Sequence, residues 1–209
     1  MKEILQIQLQ EEHYKAMLTQ YHFRPIDLEQ LKCLGEILLR VIEPVMYYAP
    51  CRITDAEDKA ADTQLAVIVS LGAKVDDLQN EYIRREHLTE GYMIECIGME
   101  FLKIAYEQTA EKLWEKYGLW MGAFDFLGDR YPLELIEDIF CLLAPEEISY
   151  NRAYMLTPKK TVVFITTLQR ERKGGYCHIC DACSNLQCPN RQNKTVNLNY
   201  GYQRIFGKP

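Results

Sequence analysis

The sequence predicts an α+β protein with a cysteine-rich metal loop towards its C-terminus, and three observations lead to that class. Apolar runs of strand length are mixed with longer segments of helical period, without the regular strand–helix alternation of a doubly wound sheet. No Gly-x-Gly-x-x-Gly or Walker-type loop follows a candidate strand, so nucleotide binding has no support. Four cysteines, Cys177, Cys180, Cys183 and Cys188, fall within twelve residues. A chain of 209 residues is long enough for one sizeable core plus an appendage. The expected division is residues 1–170 as the α+β domain and 171–209 as the Cys-rich loop and tail packed on it.

Taken in order, Leu5, Ile7 and Leu9 alternate with polar residues and predict a short strand. Pro25-Ile26-Asp27 opens a helix with Asp27 as N-cap. Leu28, Leu31, Leu34, Leu38, Val41 and Ile42 form its apolar stripe, and Pro44 ends it. Val45 to Ile53 is β-prone, and Asp55 to Asp62 is a charged surface segment. Leu65 to Leu71 has the length and branching of a buried strand. Gly72 turns it into a helix from near Lys74. Within Ser70-Leu71-Gly72-Ala73 a tight packing turn is the preferred reading, and Asp76-Asp77 reads as a solvated helix face. A long helix is predicted from Thr89 to Tyr117 with Gly118 as C-cap. Gly98 in its interior is costly unless something packs closely there. A further helix follows Pro132 with Leu133, Ile136, Ile139 and Phe140 inward. Thr161 to Leu168 is a strong strand, and Val196 to Phe206 reads as a possible return strand.

The cysteine run has the spacing C-x2-C-x2-C-x4-C and is followed by Pro189. Two disulfides would need an oxidising compartment. The N-terminal residues have no signal-peptide pattern, no stretch has the length and apolarity of a membrane span, and Cys33, Cys51, Cys96 and Cys141 are scattered singly. The expected location is the cytoplasm, with the thiols reduced. A metal centre is therefore favoured over disulfides. Four-cysteine zinc sites usually pair two C-x2-C knuckles across a long loop. The three-residue repeat here sits closer to the iron–sulfur run C-x2-C-x2-C-x3-C-P, with one residue more in the last spacer. Iron–sulfur and zinc both stay open, and His178 or Asp181 could replace one thiolate. The loop has little apolar content, so metal binding would supply its ordering energy, on the order of 10 kcal/mol for structural zinc.

Net charge is −6, distributed unevenly: residues 158–209 carry +7 and the first 157 carry −13. The basic end could meet an anionic partner or could equally balance thiolates and an acidic domain. No Gly-x-Ser-x-Gly, His-Glu-x-x-His, acid–base pair or nucleophile pair stands out. No aromatic–basic interleaving of an RNA-binding sheet is present, so nucleic acid is not the expected partner.

Several segments, in order, resemble the small free-standing proteins similar to the activation domain of vitamin B12-dependent methionine synthase. They are Ala66 to Gly72 with Val75-Asp76, the small-residue stretch Cys96-Ile97-Gly98-Met99-Glu100, and Gly128-Asp129 followed by Pro132 to Phe140. The fourth is Tyr154-Met155-Leu156-Thr157-Pro158-Lys159-Lys160-Thr161-Val162, similar to the family's M-x-P-x-K-S-V lead-in to a core strand. Free-standing members often close on a Cys-rich segment, as Cys188-Pro189-Asn190-Arg191 does here. The resemblance spans roughly residues 26 to 191. It implies a curved, mainly antiparallel sheet flanked by helices. It also implies a role beside a corrinoid, where the full enzyme's domain binds S-adenosylmethionine and supports reductive remethylation from Co(II). Tyr154, Pro158, Lys160 and Thr161 are the cofactor-binding positions it implies. The family's Arg-x-x-x-Gly-Tyr groove motif is replaced, with Gly122, Phe126 and Leu127 at its Arg, Gly and Tyr. This argues against retained S-adenosylmethionine binding.

Two functions from different classes follow. One is an accessory protein of corrinoid and methyl-transfer metabolism that docks on a cobalamin-bearing partner. Its four-cysteine centre delivers an electron, and Lys159, Lys160, Arg170 and Arg172 steer the encounter. The other is a zinc-stapled, non-catalytic module that binds protein or nucleic acid through its basic end.

Overall fold

A computed structural model describes residues 1–53, 63–128 and 131–171. The cysteine run, the Asp55–Asp62 segment and the Val196–Phe206 strand lie outside the described residues. The observed architecture is α+β, with a curled antiparallel sheet between two unequal helical layers. In chain order the elements are β1 (Lys2–Ile4), α1 (Glu11–Gln20), a 3-10 turn (Pro25–Asp27), α2 (Leu28–Val41), β2 (Val45–Cys51), β3 (Gln64–Ser70), α3 (Lys74–Arg84) and α4 (Leu88–Tyr117). They continue with β4 (Trp120–Met121), β5 (Asp125–Phe126), α5 (Leu135–Leu143), β6 (Ser149–Tyr150), β7 (Leu156–Thr157) and β8 (Thr161–Gln169). The main sheet runs β1-β2-β3-β8-β4, and β5 also pairs with β8. Every pairing in it is antiparallel.

The strand most clearly predicted, β3, is buried on both faces, which explains its nearly unbroken apolar run. Leu65, Val67 and Val69 face the layer of α1 to α4, while Ala66 and Ile68 face α5. Its neighbour β8 alternates in the same way, with Phe164 on the first side and Val163 and Ile165 on the second. The long helix α4 ends where Gly118 takes the left-handed conformation at φ 63°, as its C-cap role requires.

Four expectations differ from the structure, one being that Leu133 faces inward: it precedes α5 and is 43% exposed. The N-terminal strand is Lys2–Ile4, and Leu5 and Ile7 are core residues beyond it. The amide of Leu5 donates to the Pro44 carbonyl. Asp27 precedes α2, but its carboxylate makes no cap bond to that helix. It accepts from the Arg24 backbone and pairs with the Arg24 guanidinium, so it closes the preceding turn. Helix α1 was not expected, because its buried set is thin: His13, Tyr14 and Met17.

Candidate functional site

Three of the four segments singled out in the sequence converge at one junction. The lead-in to β8 lies against the end of β3 and the start of α3. The amide of Leu71 donates to the Lys160 carbonyl at 3.0 Å. The amide of Lys159 donates to Asp76 Oδ2 at 2.7 Å, so Asp76 fastens the junction and is not merely a solvated helix residue. The hydroxyls of Ser70 and Thr161, cross-strand partners in the β3–β8 register, are 2.8 Å apart and buried. The Thr157–Pro158 bond is cis, and Pro158 is buried.

The Cys96–Glu100 segment of α4 joins the junction through Lys160. Its side chain is only 6% exposed and reaches across α4 to pair with Glu95. The stem lies over Gly98, where a Cβ would stand 2.8 Å from the lysine Cε. That close approach is why a glycine is tolerated in the middle of a long helix. Glu95 is also held by Gln79 Nε2 at 3.0 Å and keeps 39% of its side chain exposed.

This asymmetry makes a prediction. Glu95→Ala would leave a buried ammonium without its partner and should cost about 2–3 kcal/mol. Lys160→Met keeps the stem over Gly98 and leaves a carboxylate that can turn to water, so it should cost about 1 kcal/mol or less. Urea unfolding of both variants measures this, and equal losses would refute it.

One turn further along α4, Glu100 is buried and accepts from the Tyr21 hydroxyl at 2.9 Å and from Lys103 Nζ at 2.6 Å. Between these groups lies Cys96, whose thiol burial pushes up to about 11. It is therefore a protonated core residue at neutral pH and a poor nucleophile or metal ligand. Beyond Glu100, burial pushes the Glu107 carboxyl up to about 8, with the Glu111 and Glu100 carboxylates adding to the effect. Below its unfolded value of about 4.5 both states are protonated and nothing is lost. As pH rises from there towards 8, the unfolded chain ionises first and the fold loses stability. Glu107→Gln should remove that decline, raising stability at pH 8 by about 1–2 kcal/mol after allowance for partial solvation. It should change little at pH 4. Thermal unfolding at the two pH values tests it, and an equal effect at both would disprove the assignment.

The remaining segment, Pro132 to Phe140, lies on the opposite face of the sheet. Ile136, Ile139 and Leu143 of α5 pack against Ala66, Ile68, Val163 and Ile165. The β6–β7 hairpin sits over this helix, with the Tyr154 phenol donating to Glu137 Oε1 at 3.1 Å. Between α5 and the end of β2 is a cleft of about 380 Å³ lined in part by Cys51, Arg52, Ile53, Asp138 and Leu142.

The structure therefore places the four residues implied as cofactor-binding as follows. Pro158, Lys160 and Thr161 are interior, and the polar atoms of Lys160 and Thr161 are engaged by Glu95 and Ser70. Tyr154 is half-buried on α5. Cys177, Cys180, Cys183 and Cys188 are not among the described residues. Among the described residues no cluster of three or more His, Cys, Asp or Glu side chains could hold a metal ion. None of their helices is long and apolar enough to cross a membrane.

The stretch in place of the Arg-x-x-x-Gly-Tyr motif is bound to β8. The Gly122 amide donates to the Thr167 carbonyl at 2.8 Å, and a Cβ at Gly122 would lie 3.0 Å from that oxygen. A long cationic side chain could not stand there without moving the segment. Phe124 and Phe126 pack on Phe164 instead.

The curled antiparallel sheet, with its helical layer and single opposing helix, defines an α+β fold. Among solved structures it is similar to the crystal structure of the MetH reactivation domain bound to AdoHcy, with a TM-score of 0.52 and 12% identity. The match covers 83% of this chain and 81% of that one. No protein-family model and no curated protein matches the sequence. At that identity the likeness establishes the fold.

Proposed function

We propose that this chain is an accessory protein of corrinoid and methyl-transfer metabolism that docks on a cobalamin-bearing protein. The observation that carries this reading is the fold likeness to the MetH reactivation domain over 83% of the chain. The ordered motifs, three of which meet at the Lys160 junction, support it. The proposed metal ligands are Cys177, Cys180, Cys183 and Cys188, on a segment that follows β8 as an appendage to the α+β domain. Four thiolates suit an iron–sulfur cluster, which when reduced would supply one electron at the low potential needed to take Co(II) to Co(I).

S-adenosylmethionine is not proposed as a ligand. The backbone contact at Gly122 and the aromatic packing of Phe124 and Phe126 occupy the stretch where the groove motif would stand. Of the four positions implied by resemblance, Tyr154 remains the one whose phenol is not enclosed by the junction.

The test is metal and sulfide analysis of anaerobically purified protein, followed by titration with a corrinoid protein in the Co(II) state. Iron, labile sulfide and a Co(I) spectrum after mixing with the reduced chain would support the reading. About one zinc per chain together with no complex would replace it with the zinc-stapled binding module. Binding without iron would keep the docking role and remove the electron transfer.

A further inference from the structure

We propose that the cleft between α5 and the end of β2 is a binding site for a zwitterionic amino acid with an apolar side chain. The cleft holds about 380 Å³, within the range of about 300–1,000 Å³ for small-molecule sites. Its floor is apolar: Ile139 of α5 and Ile165 of β8 line it and are buried. Leu142 lines it too and is 49% exposed, so apolar surface remains open there for a ligand to cover.

Two charged residues select the ligand. Arg52 and Asp138 both line the cleft and are exposed. Among the described residues neither is engaged in an ion pair or a side-chain hydrogen bond, so their charges stand farther apart than the roughly 4 Å of an ion pair. The backbone holds Arg52 in place just beyond β2. Cys51 is registered opposite Gln64, and the Ile53 amide donates to Gln64 Oε1 at 3.0 Å.

A monoanion drawn to Arg52 would meet Asp138, and a monocation drawn to Asp138 would meet Arg52. A molecule carrying both charges satisfies both residues: its carboxylate suits the guanidinium fork and its ammonium suits the Asp138 carboxylate. Its side chain then covers Leu142 and the floor. No aromatic residue is among the described residues that line the cleft, so a nucleobase would find no ring to stack on. The site stands apart from the corrinoid reading, since none of its residues belongs to the Lys160 junction or to the cysteine run.

Cys51 reports on occupancy from inside the cleft. It lines the cleft half-buried, and burial pushes its thiol up, so it reacts slowly. The exposed Cys33 of α2 is the internal control. The full chain, purified anaerobically, is treated with methyl methanethiosulfonate, and peptide mass spectrometry follows each cysteine with and without L-leucine at millimolar concentration. The expected result is a severalfold slower modification of Cys51, with Cys33 unchanged. Isocaproate and isoamylamine, which each carry one of the two charges, should protect much less. Arg52→Gln and Asp138→Asn should each lose the protection by leucine, and both positions are exposed, so the variants should fold as the wild type does. No protection by leucine would overturn the proposal. So would equal protection by either one-charge analogue, or protection that persists in both variants. Protection by S-adenosylhomocysteine with none by leucine would assign the cleft to a nucleoside ligand, with the same consequence. A Cys51 that reacts only after unfolding would show the cleft closed to ligands and would also end the proposal.

Discussion

Phe164→Ala should cost the fold about 3–5 kcal/mol, the range for deleting a large aromatic from a closed core. Phe164 has no exposed surface and occupies the middle of β8, the strand that pairs with β3 on one side and with the broken β4–β5 edge on the other. Val67 is its partner in β3 and Phe126 its partner in β5. Its ring meets Phe124 edge-on at 4.5 Å and Tyr106 of α4 at 6.4 Å, with Phe126 at 5.8 Å. The residue therefore clamps three elements, of which the 120–126 stretch has the weakest backbone pairing: two residues in β4 and two in β5. Phe164→Leu keeps most of the volume but loses the edge-on contacts, and should cost about 1–2 kcal/mol. Urea unfolding measures both. A loss below about 1 kcal/mol for the alanine variant would mean that the site collapses readily and that the aromatic cluster does not hold the edge. With Phe164 shortened, cleavage near Gly122 should accelerate ahead of global unfolding, since a locally weak edge opens first.

The aromatic cluster also shows where sequence reasoning reaches and where it stops. Strands β2, β3 and β8 and helices α2, α3, α4 and α5 were legible because each carries a continuous periodic apolar signal. The reading of Gly98 was legible for a different reason: a glycine inside a 30-residue helix is a cost that needs a close neighbour, and Lys160 is that neighbour. The identity of the neighbour was not legible. Sixty-odd residues separate Lys160 from Glu95, and nothing local distinguishes a buried lysine from the exposed Lys159 beside it. The same limit applies to Asp76, whose place in a charged pair looked like solvated surface until the amide of Lys159 was found on it. The two-residue strands β4 to β7 have no period to detect. β4 and β5 exist because β8 offers them hydrogen bonds, and β6 and β7 because they pair with each other, which is tertiary information. Helix α1 was missed because its core contacts come from His13, Tyr14 and Met17 amid charged and polar residues.

If the proposed four-cysteine metal centre forms, Cys180→Ser should abolish it, the largest functional effect expected on that reading. A serine hydroxyl stays protonated near neutral pH and cannot replace a thiolate, so a four-thiolate site loses both charge and a strong bond. If metal supplies roughly 10 kcal/mol towards ordering its segment, losing one ligand should release most of the metal. It should also remove any reduction of a partner's Co(II). The core of the α+β domain should be spared: among the described residues both hydrophobic clusters are built from positions up to Leu168, so the urea midpoint should stay close to wild type. Cys96→Ser is the matched control. Its thiol is buried, held protonated and flanked by Tyr92 and acidic neighbours on α4, so it should shift stability and leave metal content unchanged. The measurement is metal per chain for the two variants, purified anaerobically in parallel. Full metal in Cys180→Ser would exclude Cys180 as a required ligand and point to His178 or Asp181 as its replacement. Loss of metal in both variants would show that the centre depends on the α4 core, and the separation of residues 171–209 from the α+β domain would then be wrong.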